Sequence, residues 1–279
     1  MDKSLVKRIE QLQKPLSPTE KRLVDVLMHN PEMAVFESVN RIAAIAETHG
    51  SALVRLARKL GFSGFPEMRT FMRSGLSQPK RTDDLVRTSL LDSAETGILA
   101  HLVKREIDAL SNMTQFIQQA ELDSAADGLL NAERIVIFAE GTAEALARHA
   151  THRLRRAGQF TVQLDANPRA VAEGLTCLSS KDIALGFTLR EPPTLLHTVL
   201  DKAAALNATS LVIGDLSGLT LKPTPDFLLV ASRGPDLESG TLTVPMAILN
   251  ALILTVASRG APETLENYAR YTTIRDQMT

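Results

Sequence analysis

The sequence predicts an all-α N-terminal domain followed by an α/β domain built on a doubly wound parallel sheet. In the first 131 residues the apolar positions recur with the period of an α-helix. From Arg134 onward, short apolar runs of strand length alternate with helical segments, which is the order of a parallel sheet covered on both faces. Charge divides the chain similarly, because residues 1–81 hold 14 Lys and Arg against 8 Asp and Glu, whereas the rest holds 17 against 24.

Composition indicates a soluble cytoplasmic protein. At 279 residues, 44% of them hydrophobic, the chain is long enough for two packed cores. Cys177 is the single cysteine, which excludes an intramolecular disulfide and fits a reducing compartment. The charged, amphipathic start MDKSLVKRIEQL differs from a signal peptide, and the longest apolar run, 244–258, is too short to span a bilayer comfortably. We therefore expect no membrane association.

The first elements are predicted to be helices. Residues 1–13 show a helical apolar stripe that Pro15 ends. Ser17 and Glu20 then have the spacing of a capping box, in which each side chain accepts a hydrogen bond from the main chain of the other, so a second helix begins here. A short helix is expected at 31–37.

The stretch VNRIAAIAETHGSALVRLARKLGFSGF, residues 39–65, predicts two short helices joined by a tight turn. The polar break at 47–50 separates them, and Gly61 ends the second helix as a C′ residue does. The second helix carries three cations on its outer face: Arg55, Arg58 and Lys59. This arrangement predicts a helix-turn-helix on a basic domain, which is typical of DNA binding, and a solvated αα-hairpin is the alternative.

The segment 74–92 is rich in Gly, Pro, Ser and alternating charges, and it is predicted to be a linker. A long helix at 94–119 follows. It is expected to turn five apolar residues inward: Ile98, Leu102, Ile107, Leu110 and Phe116. We expect domains at 1–78 and 121–279, joined by the linker and the connecting helix at 79–120.

The second domain is predicted to begin with a helix at 123–131 and then to alternate strands with helices. Five apolar runs predict strands: 135–138, 160–164, 182–188, 210–214 and 226–230. Four segments predict helices: one ending at Ala157, then 167–176, 193–207 and 240–259. The last helix is more apolar than one buried face requires, and a subunit interface would supply the additional cover.

Two stretches carry a resemblance to a known family: LSPTEKRLVDVLMHNPEMA at 16–34 and VRLARKLGFSGFPEMR at 54–69. With the order of the domains, they resemble the RpiR (MurR/RpiR) family of bacterial transcription regulators, which join a helix-turn-helix domain to a C-terminal sugar isomerase (SIS) domain. The resemblance implies an SIS-like α/β domain, a double-stranded DNA operator and a small-molecule effector. It departs at the turn, where the family's Ala-Gly-Val-Ser is replaced by Ala46-Glu47-Thr48-His49 and the glycine moves to Gly50.

The resemblance gives the second helix of the motif the role of a recognition helix. Such a helix presents its N-terminal residues to base edges and its cations to phosphates. Three residues near its start are expected to face bases: His49, Ser51 and Ala52. Arg55 is expected to read guanine in bidentate fashion. Three further cations are candidates for contact with DNA, chiefly with phosphates: Arg41, Arg58 and Lys59.

In SIS domains that bind sugar phosphates, two loops at the carboxyl ends of parallel strands hold the ligand. The first usually reads Gly-x-Gly-x-Ser and here reads Ala-Glu-Gly-Thr-Ala at 139–143. The second usually reads Ser-x-Ser-Gly-x-Thr and here reads Thr-Leu-Arg-Glu-Pro-Pro-Thr at 188–194, where Pro192 and Pro193 provide no N–H donor. The candidate ligand contacts are Glu140, Gly141, Thr142, Ala143, Thr188 and Arg190.

This altered phosphate cage leaves three interpretations open. Arg190 supplies by charge what the missing serine and amides supplied, the ligand is a different small anion or metabolite, or the domain binds nothing and only dimerises. We expect that the effector is not a simple hexose phosphate, because donors are lost and Glu191 adds a repulsive charge. We also expect a homodimer or homotetramer.

An SIS-type sugar-phosphate isomerase with a helical extension is the alternative function. Isomerisation needs a positioned base. The four candidates are Glu140, His149, His152 and Glu238. Both histidines are predicted to lie on the exposed face of one helix, and no set of histidines and carboxylates has convincing metal-ligand spacing. We therefore predict no catalytic residue, no metal and no cofactor, and keep Glu140 as a ligand contact.

Overall fold

The computed structural model describes residues 5–10, 12, 15–29, 34–35, 37–76, 97–233 and 241–278. The chain divides into two compact units, Met1–Gln78 and Pro79–Thr279.

The first unit is helical. Its described helices are α1 (Leu5–Glu10), α2 (Pro18–His29), α3 (Val39–Ile45), α4 (Gly50–Lys59) and α5 (Phe65–Leu76). The predicted capping box is confirmed, since the Glu20 carboxylate accepts the Ser17 N–H at 2.8 Å and the Ser17 hydroxyl accepts the Glu20 N–H at 3.3 Å. Of the helix expected at 31–37, only residues 34, 35 and 37 are described, and the first two are helical.

Helices α2 to α5 share one apolar core. α4 packs against α2, α3 and α5. The core side chains are at most 1% exposed: Leu23, Leu27, Ile42, Leu53, Leu56, Phe65 and Met68. Burying each of them stabilises the fold by about 1.5–3 kcal/mol. This core fixes which face of α4 remains outside.

The turn between α3 and α4 places its left-handed residue at Glu47, with φ 50°. The Thr48 N–H donates to the Ala43 carbonyl at 2.8 Å and the Glu47 N–H to the Ala44 carbonyl at 3.1 Å, which is a Schellman ending with a non-glycine residue at C′. This backbone conformation favours glycine, because a side chain at positive φ is strained.

Gly50 serves a different purpose, as the first residue of α4. A Cβ atom there would lie 2.8 Å from Asn40 Oδ1 and 2.9 Å from Val39 Cγ1. Gly50 is therefore required by the close approach of α4 to α3 and not by the turn. At the other end of α4, the expected C′ role of Gly61 is confirmed by its φ of 86°.

The second unit contains a five-stranded sheet in the order β2-β1-β3-β4-β5, and all its pairs are parallel. The strands are β1 (Ile135–Phe138), β2 (Thr161–Gln163), β3 (Ile183–Thr188), β4 (Thr209–Gly214) and β5 (Phe227–Val230). The described helices are α6 (Ile98–Asn112), α7 (Gln119–Asn131), α8 (Glu144–Arg156), α9 (Pro168–Thr176), α10 (Thr194–Ala205), α11 (Thr243–Arg259) and α12 (Glu263–Asp276).

Alternate strand residues enter two cores on opposite faces of the sheet. On β1, Ile135 and Ile137 pack in the core shared with α7, α8 and α11, whereas Val136 and Phe138 pack in the core shared with α9 and α10. The predicted doubly wound α/β class is thereby confirmed.

The connecting helix differs from its prediction. It ends as α6 at Asn112, and a 3-10 turn separates it from α7, which begins four residues before the predicted helix. Ile98 and Ile107 were expected to point inward but are 64% and 56% exposed. Ala109 is the buried residue of α6, because the helix lies outside the other layers and touches the domain chiefly through α11.

In the C-terminal region one predicted helix is confirmed and one further helix was not predicted. α11 is buried on most sides, as predicted, although Leu254 is 65% exposed. α12 was not predicted, because its apolar residues are few and show little helical segregation. None of the described helices is long and apolar enough to cross a bilayer alone. α11 and α12 reach the necessary length and hydropathy only when taken together, and they are bent by 107° at the break between them.

Candidate functional site

Five of the seven predicted DNA-contacting residues lie at exposed positions of the first unit. This exposed set consists of Arg41, His49, Ser51, Arg55 and Arg58. His49 is the N-cap of α4 and makes no capping hydrogen bond with its side chain. The Arg55 guanidinium donates to the Ser51 hydroxyl at a long 3.4 Å, which keeps both groups on the outer side of α4.

The structure departs from the prediction at two residues of α4. Ala52 is only 6% exposed and packs in the helical core, so it does not face outward. Lys59 is only partly exposed and is paired within the chain, because its ammonium lies 2.7 Å from the Glu20 carboxylate and donates to the Pro15 carbonyl at 3.0 Å. Lys59 thus fastens α4 to the start of α2 and is not an open phosphate contact.

The Lys59–Glu20 pair affects the titration of its carboxylate. Burial acts to raise the pKa of Glu20, but the hydrogen bonds from Lys59 and Ser17 outweigh it and hold that pKa below its ordinary value. Four other described cations of this unit also donate to a main-chain carbonyl. They are Arg8 on Leu60, Arg22 on Ala46, Arg69 on Ala34 and, at a long 3.4 Å, the exposed Arg58 on Ser63.

In the second unit, the strand order places a topological switch point between β1 and β3. β1 pairs with both β2 and β3, so the chain leaves the carboxyl ends of β1 and β3 in opposite directions. Ligands of doubly wound domains bind in the crevice at this point. The two predicted ligand loops, 139–143 (the first loop) and 188–194 (the second loop), follow these two strands.

The first loop is open to solvent but holds a carboxylate of its own chain. Glu140, Gly141 and Thr142 are exposed, whereas Ala143 is buried. Gly141 has φ 63°, and its N–H donates to Glu144 Oε1 at 3.1 Å. Glu144, the first residue of α8, was not among the predicted site residues, although an acidic residue in a first helical turn is a recognisable sign of such a cap.

The second loop uses its main-chain donors internally. The Arg190 N–H donates to Asp215 Oδ2 at 2.9 Å, and the Glu191 N–H donates to the Leu189 carbonyl at 2.9 Å. Pro192 and Pro193 have no N–H. Four consecutive residues, 190–193, therefore offer a ligand no main-chain donor without rearrangement.

Thr188, the last residue of β3, lies beneath the second loop. It is fully buried, and its hydroxyl is 3.4 Å from that of Ser217. Arg190 follows in the left-handed region with φ 68°, a strained conformation for a residue with a side chain. A ligand reaches the Thr188 hydroxyl only if the residues above it move.

A buried ion pair underlies the second loop, and sequence reasoning missed it. Asp215 follows β4, and Arg233 lies three residues after the end of β5. Their side chains are 1% and 4% exposed, and Arg233 Nε and Nη2 lie 3.0 and 2.7 Å from Asp215 Oδ2. Asp215 also accepts the N–H of Ser217, and Arg233 donates to the Thr241 carbonyl at 3.1 Å. Charged residues just beyond buried strands were the available signal.

The three candidate bases that the structure describes lie at separate places in the second unit. His149 is half-buried, with Nε2 3.1 Å from Asn250 Oδ1, which ties α8 to α11, while His152 is exposed. Glu140 lies in the first loop, and Glu238 falls outside the described residues. Within the described ranges, no group of three or more His, Cys, Asp and Glu is placed to hold a metal ion.

Comparison with known families decides the nature of the first unit. Residues 3–79 match the model of the helix-turn-helix domain of the rpiR family. The N-terminal region belongs to this family. The sequence resemblance is thereby confirmed, and α3 and α4 are the helix-turn-helix of an rpiR-type domain.

Relatives of this chain include proteins named as HTH-type transcriptional regulators. One from Haemophilus influenzae is 24% identical over 187 residues, 66% of this chain and 65% of that protein. YbbH of Bacillus subtilis is 26% identical over 150 residues, 53% of this chain and 52% of YbbH. The bifunctional protein glk of Burkholderia mallei is 24% identical over 92% of this chain but only 39% of its own length. The chain thus spans about two thirds or less of these relatives.

Solved structures support the fold of the described parts of the chain. The Vibrio vulnificus NanR protein, complexed with ManNAc-6P, has a TM-score of 0.53 at 16% identity and covers 99% of both chains. The sugar isomerase domain of an RpiR transcription factor from Sphaerobacter thermophilus has a TM-score of 0.56 at 18% identity, over 63% of this chain and 98% of that domain. The second unit accordingly has the fold of an SIS domain, as predicted.

Proposed function

We propose that this protein is a transcriptional regulator that binds a double-stranded DNA operator through α4 and responds to a small metabolite bound by its SIS-type domain. The observation that carries this proposal is the two-sidedness of α4. One face is buried in the rpiR-type core, while Ser51, Arg55 and Arg58 remain exposed on the other.

The exposed set suits the tasks of a recognition helix. Its start, at His49 and Ser51, would approach base edges in the major groove. Arg55, one turn further, has the planar donors that pair with O6 and N7 of guanine. Arg58 and Arg41 would neutralise phosphates and make the affinity dependent on salt. We leave Lys59 and Ala52 out of this contact, because Lys59 is paired with Glu20 and Ala52 is buried.

We propose that the effector binds at the two loops of the switch point. The contacts would come from Glu140, Gly141, Thr142 and Arg190. The other two predicted contacts, Ala143 and Thr188, are buried, and a ligand would reach them only if the loops move. That a protein of the same fold, NanR, holds ManNAc-6P supports a sugar derivative as the chemical class. A simple hexose phosphate is disfavoured, because residues 190–193 offer no open main-chain donor to a dianion.

A regulator is favoured over an isomerase by the state of the candidate bases. His149 is held by Asn250, His152 is exposed on α8, and Glu140 lies in the first loop. We further propose a homodimer or homotetramer, since symmetric regulators bind paired half-sites.

Selection from a random double-stranded DNA library, with the full chain as bait at physiological salt, tests the operator proposal. A regulator of this kind enriches a motif in two related half-sites. Adding candidate sugar derivatives to the complex with the enriched DNA then tests the effector, because a true effector changes the operator affinity. A library that stays unenriched over repeated rounds would contradict DNA binding by α4.

A further inference from the structure

The first loop differs from an open anion cradle in one respect, which is that a carboxylate already occupies it. The Gly141 N–H points to Glu144 Oε1 at 3.1 Å. Gly141 leads a 3-10 turn that continues directly into α8, so this N–H belongs to the positive end of a helix. The Glu144 carboxylate thus lies where an anionic ligand group would accept the same hydrogen bond.

We infer that Glu144 is a specificity residue that acts as a resident anion, excluding phosphate esters from the first loop and restricting the effector to a sugar derivative without a phosphate. This inference rests on the proposed effector site. A phosphate would have to displace Glu144 from Gly141 and would then lie beside a displaced negative charge. A hydroxyl or amine on the ligand could instead donate to the exposed carboxylate.

The second loop supports the same inference independently. Its donors at Arg190 and Glu191 are bonded within the chain, and two prolines follow. The second loop therefore presents no open main-chain N–H at 190–193, and in the first loop the Gly141 N–H is already bonded to Glu144. The exposed carboxylates of Glu140, Glu144 and Glu191 outnumber the one guanidinium of Arg190 in these loops.

Calorimetric titration of the full chain with inorganic phosphate and with a hexose 6-phosphate tests the role of Glu144. The wild-type protein should bind both probes weakly. Glu144→Ala opens the Gly141 N–H and should bind them about tenfold tighter or more, since one charge-assisted hydrogen bond is gained and one repulsion is lost. Glu144→Gln should fall between, because its carbonyl still accepts from Gly141 but carries no charge.

Glu191→Gln is the matched control. It removes one exposed negative charge from the second loop, at a residue outside the proposed contacts, and it leaves the Gly141–Glu144 hydrogen bond in place. A phosphate gain equal to that of Glu144→Ala would show that net charge, not occupation of the amide, sets the affinity, and would overturn the inference. Tight phosphate binding by the wild-type protein would overturn it too.

Two further measurements distinguish a folding defect or a loss of DNA binding from a change in phosphate affinity. Thermal unfolding checks each variant, and if Glu144→Ala fails to fold, Glu144→Gln decides the question by its own gain or lack of gain. The operator selection is a separate measurement. Failure of DNA enrichment would remove the proposed regulator while leaving the phosphate gain as support for Glu144.

Discussion

Helix α4 and the two loops at the switch point differ in how far their polar groups are already bonded within the chain. On α4, the hydrogen bonds of Arg55 and Arg58 within the chain are long, at 3.4 Å each, and both guanidinium groups are exposed. In the loops, the N–H groups of Gly141, Arg190 and Glu191 are bonded at 2.9–3.1 Å. The helix can exchange water for phosphate directly, whereas a ligand of the loops competes with bonds that the chain already makes.

The difference extends to what lies beneath each surface. An apolar core supports α4 through its buried face, which includes Leu53, Leu56 and Ala57. The second loop rests on the Asp215–Arg233 ion pair, which also reaches the start of α11 through Thr241. Changes beneath the loops should therefore affect stability, and changes on the outside of α4 should affect recognition.

The largest expected effect is on the loop side. Arg233→Ala leaves the Asp215 carboxylate buried without its counter-charge, and it should destabilise the second unit by about 3–5 kcal/mol. Urea unfolding of the full chain measures this loss. Arg259→Ala is the control, because its ion pair with Asp127 is exposed and should matter far less. Equal losses of stability in both variants would show that the buried Asp215–Arg233 pair matters no more than an exposed surface ion pair.

On the helix side, Arg55→Ala should lower discrimination between the selected operator and single-base variants by about 1–3 kcal/mol. Arg58→Ala should weaken all DNA sequences alike and reduce the slope of log affinity against log salt by about 1. Gel-shift titrations at several salt concentrations measure both.

Lys59→Ala sharpens the same test. Its ammonium is committed to Glu20, so the salt slope should stay at the wild-type value. A fall in slope as large as that of Arg58→Ala would mean that Lys59 contacts phosphate after all, and that the exposed set is wrongly drawn.

Two substitutions around the turn before α4 should change the stability of the first unit by smaller amounts and in opposite directions. Glu47→Gly relieves a left-handed residue and should stabilise the first unit by about 1 kcal/mol. Gly50→Ala should destabilise it, because the new methyl meets Asn40 and Val39 at under 3 Å. Thermal unfolding of the two variants should move the midpoint in opposite directions, and a shift of the same sign would refute this account of the turn.

The smallest effect concerns pH. The folded pKa of Glu20 lies below its ordinary value of 4.5, so its pairing with Lys59 stabilises the first unit above that pH and is lost as pH falls through the lower folded pKa. The contribution should be about 1 kcal/mol or less. Between neutral pH and about pH 3 the wild-type protein should lose slightly more stability than Glu20→Gln. Parallel curves for the two proteins would contradict the pairing.

Much of the fold was predictable because it follows from local pattern. The capping box at Ser17, the C′ glycine at Gly61 and the apolar strand runs need only neighbouring residues to be recognised. The helix at 94–119 was predicted too long, because a 3-10 turn and a second cap interrupt it without a break in apolar composition. α12 was missed because a helix with weak segregation leaves little periodic signal.

For the candidate sites, the sequence predicted which residues to consider but not which partners their side chains and N–H groups have. Sequence placed Arg55, Arg58 and Lys59 together on one outer face, and the helical period allows no finer distinction. The structure turns Lys59 to a carboxylate 39 residues earlier in the chain. Similarly, the main-chain N–H of Arg190 donates to the carboxylate of Asp215, 25 residues later in the chain. Neither partnership has a sequence period that could reveal it.

The sequence by itself determined two things about this protein, its domain classes and the place of its loops, because periodicity and strand order are properties of short stretches. The tertiary structure decided which charges remain available. Whether a cation or an N–H group is open depends on acceptors brought from distant positions, as Glu20 is to Lys59 and Asp215 to Arg190. Buried or half-buried polar groups must find such partners, so packing selects the exposed ones after the helices and strands are set.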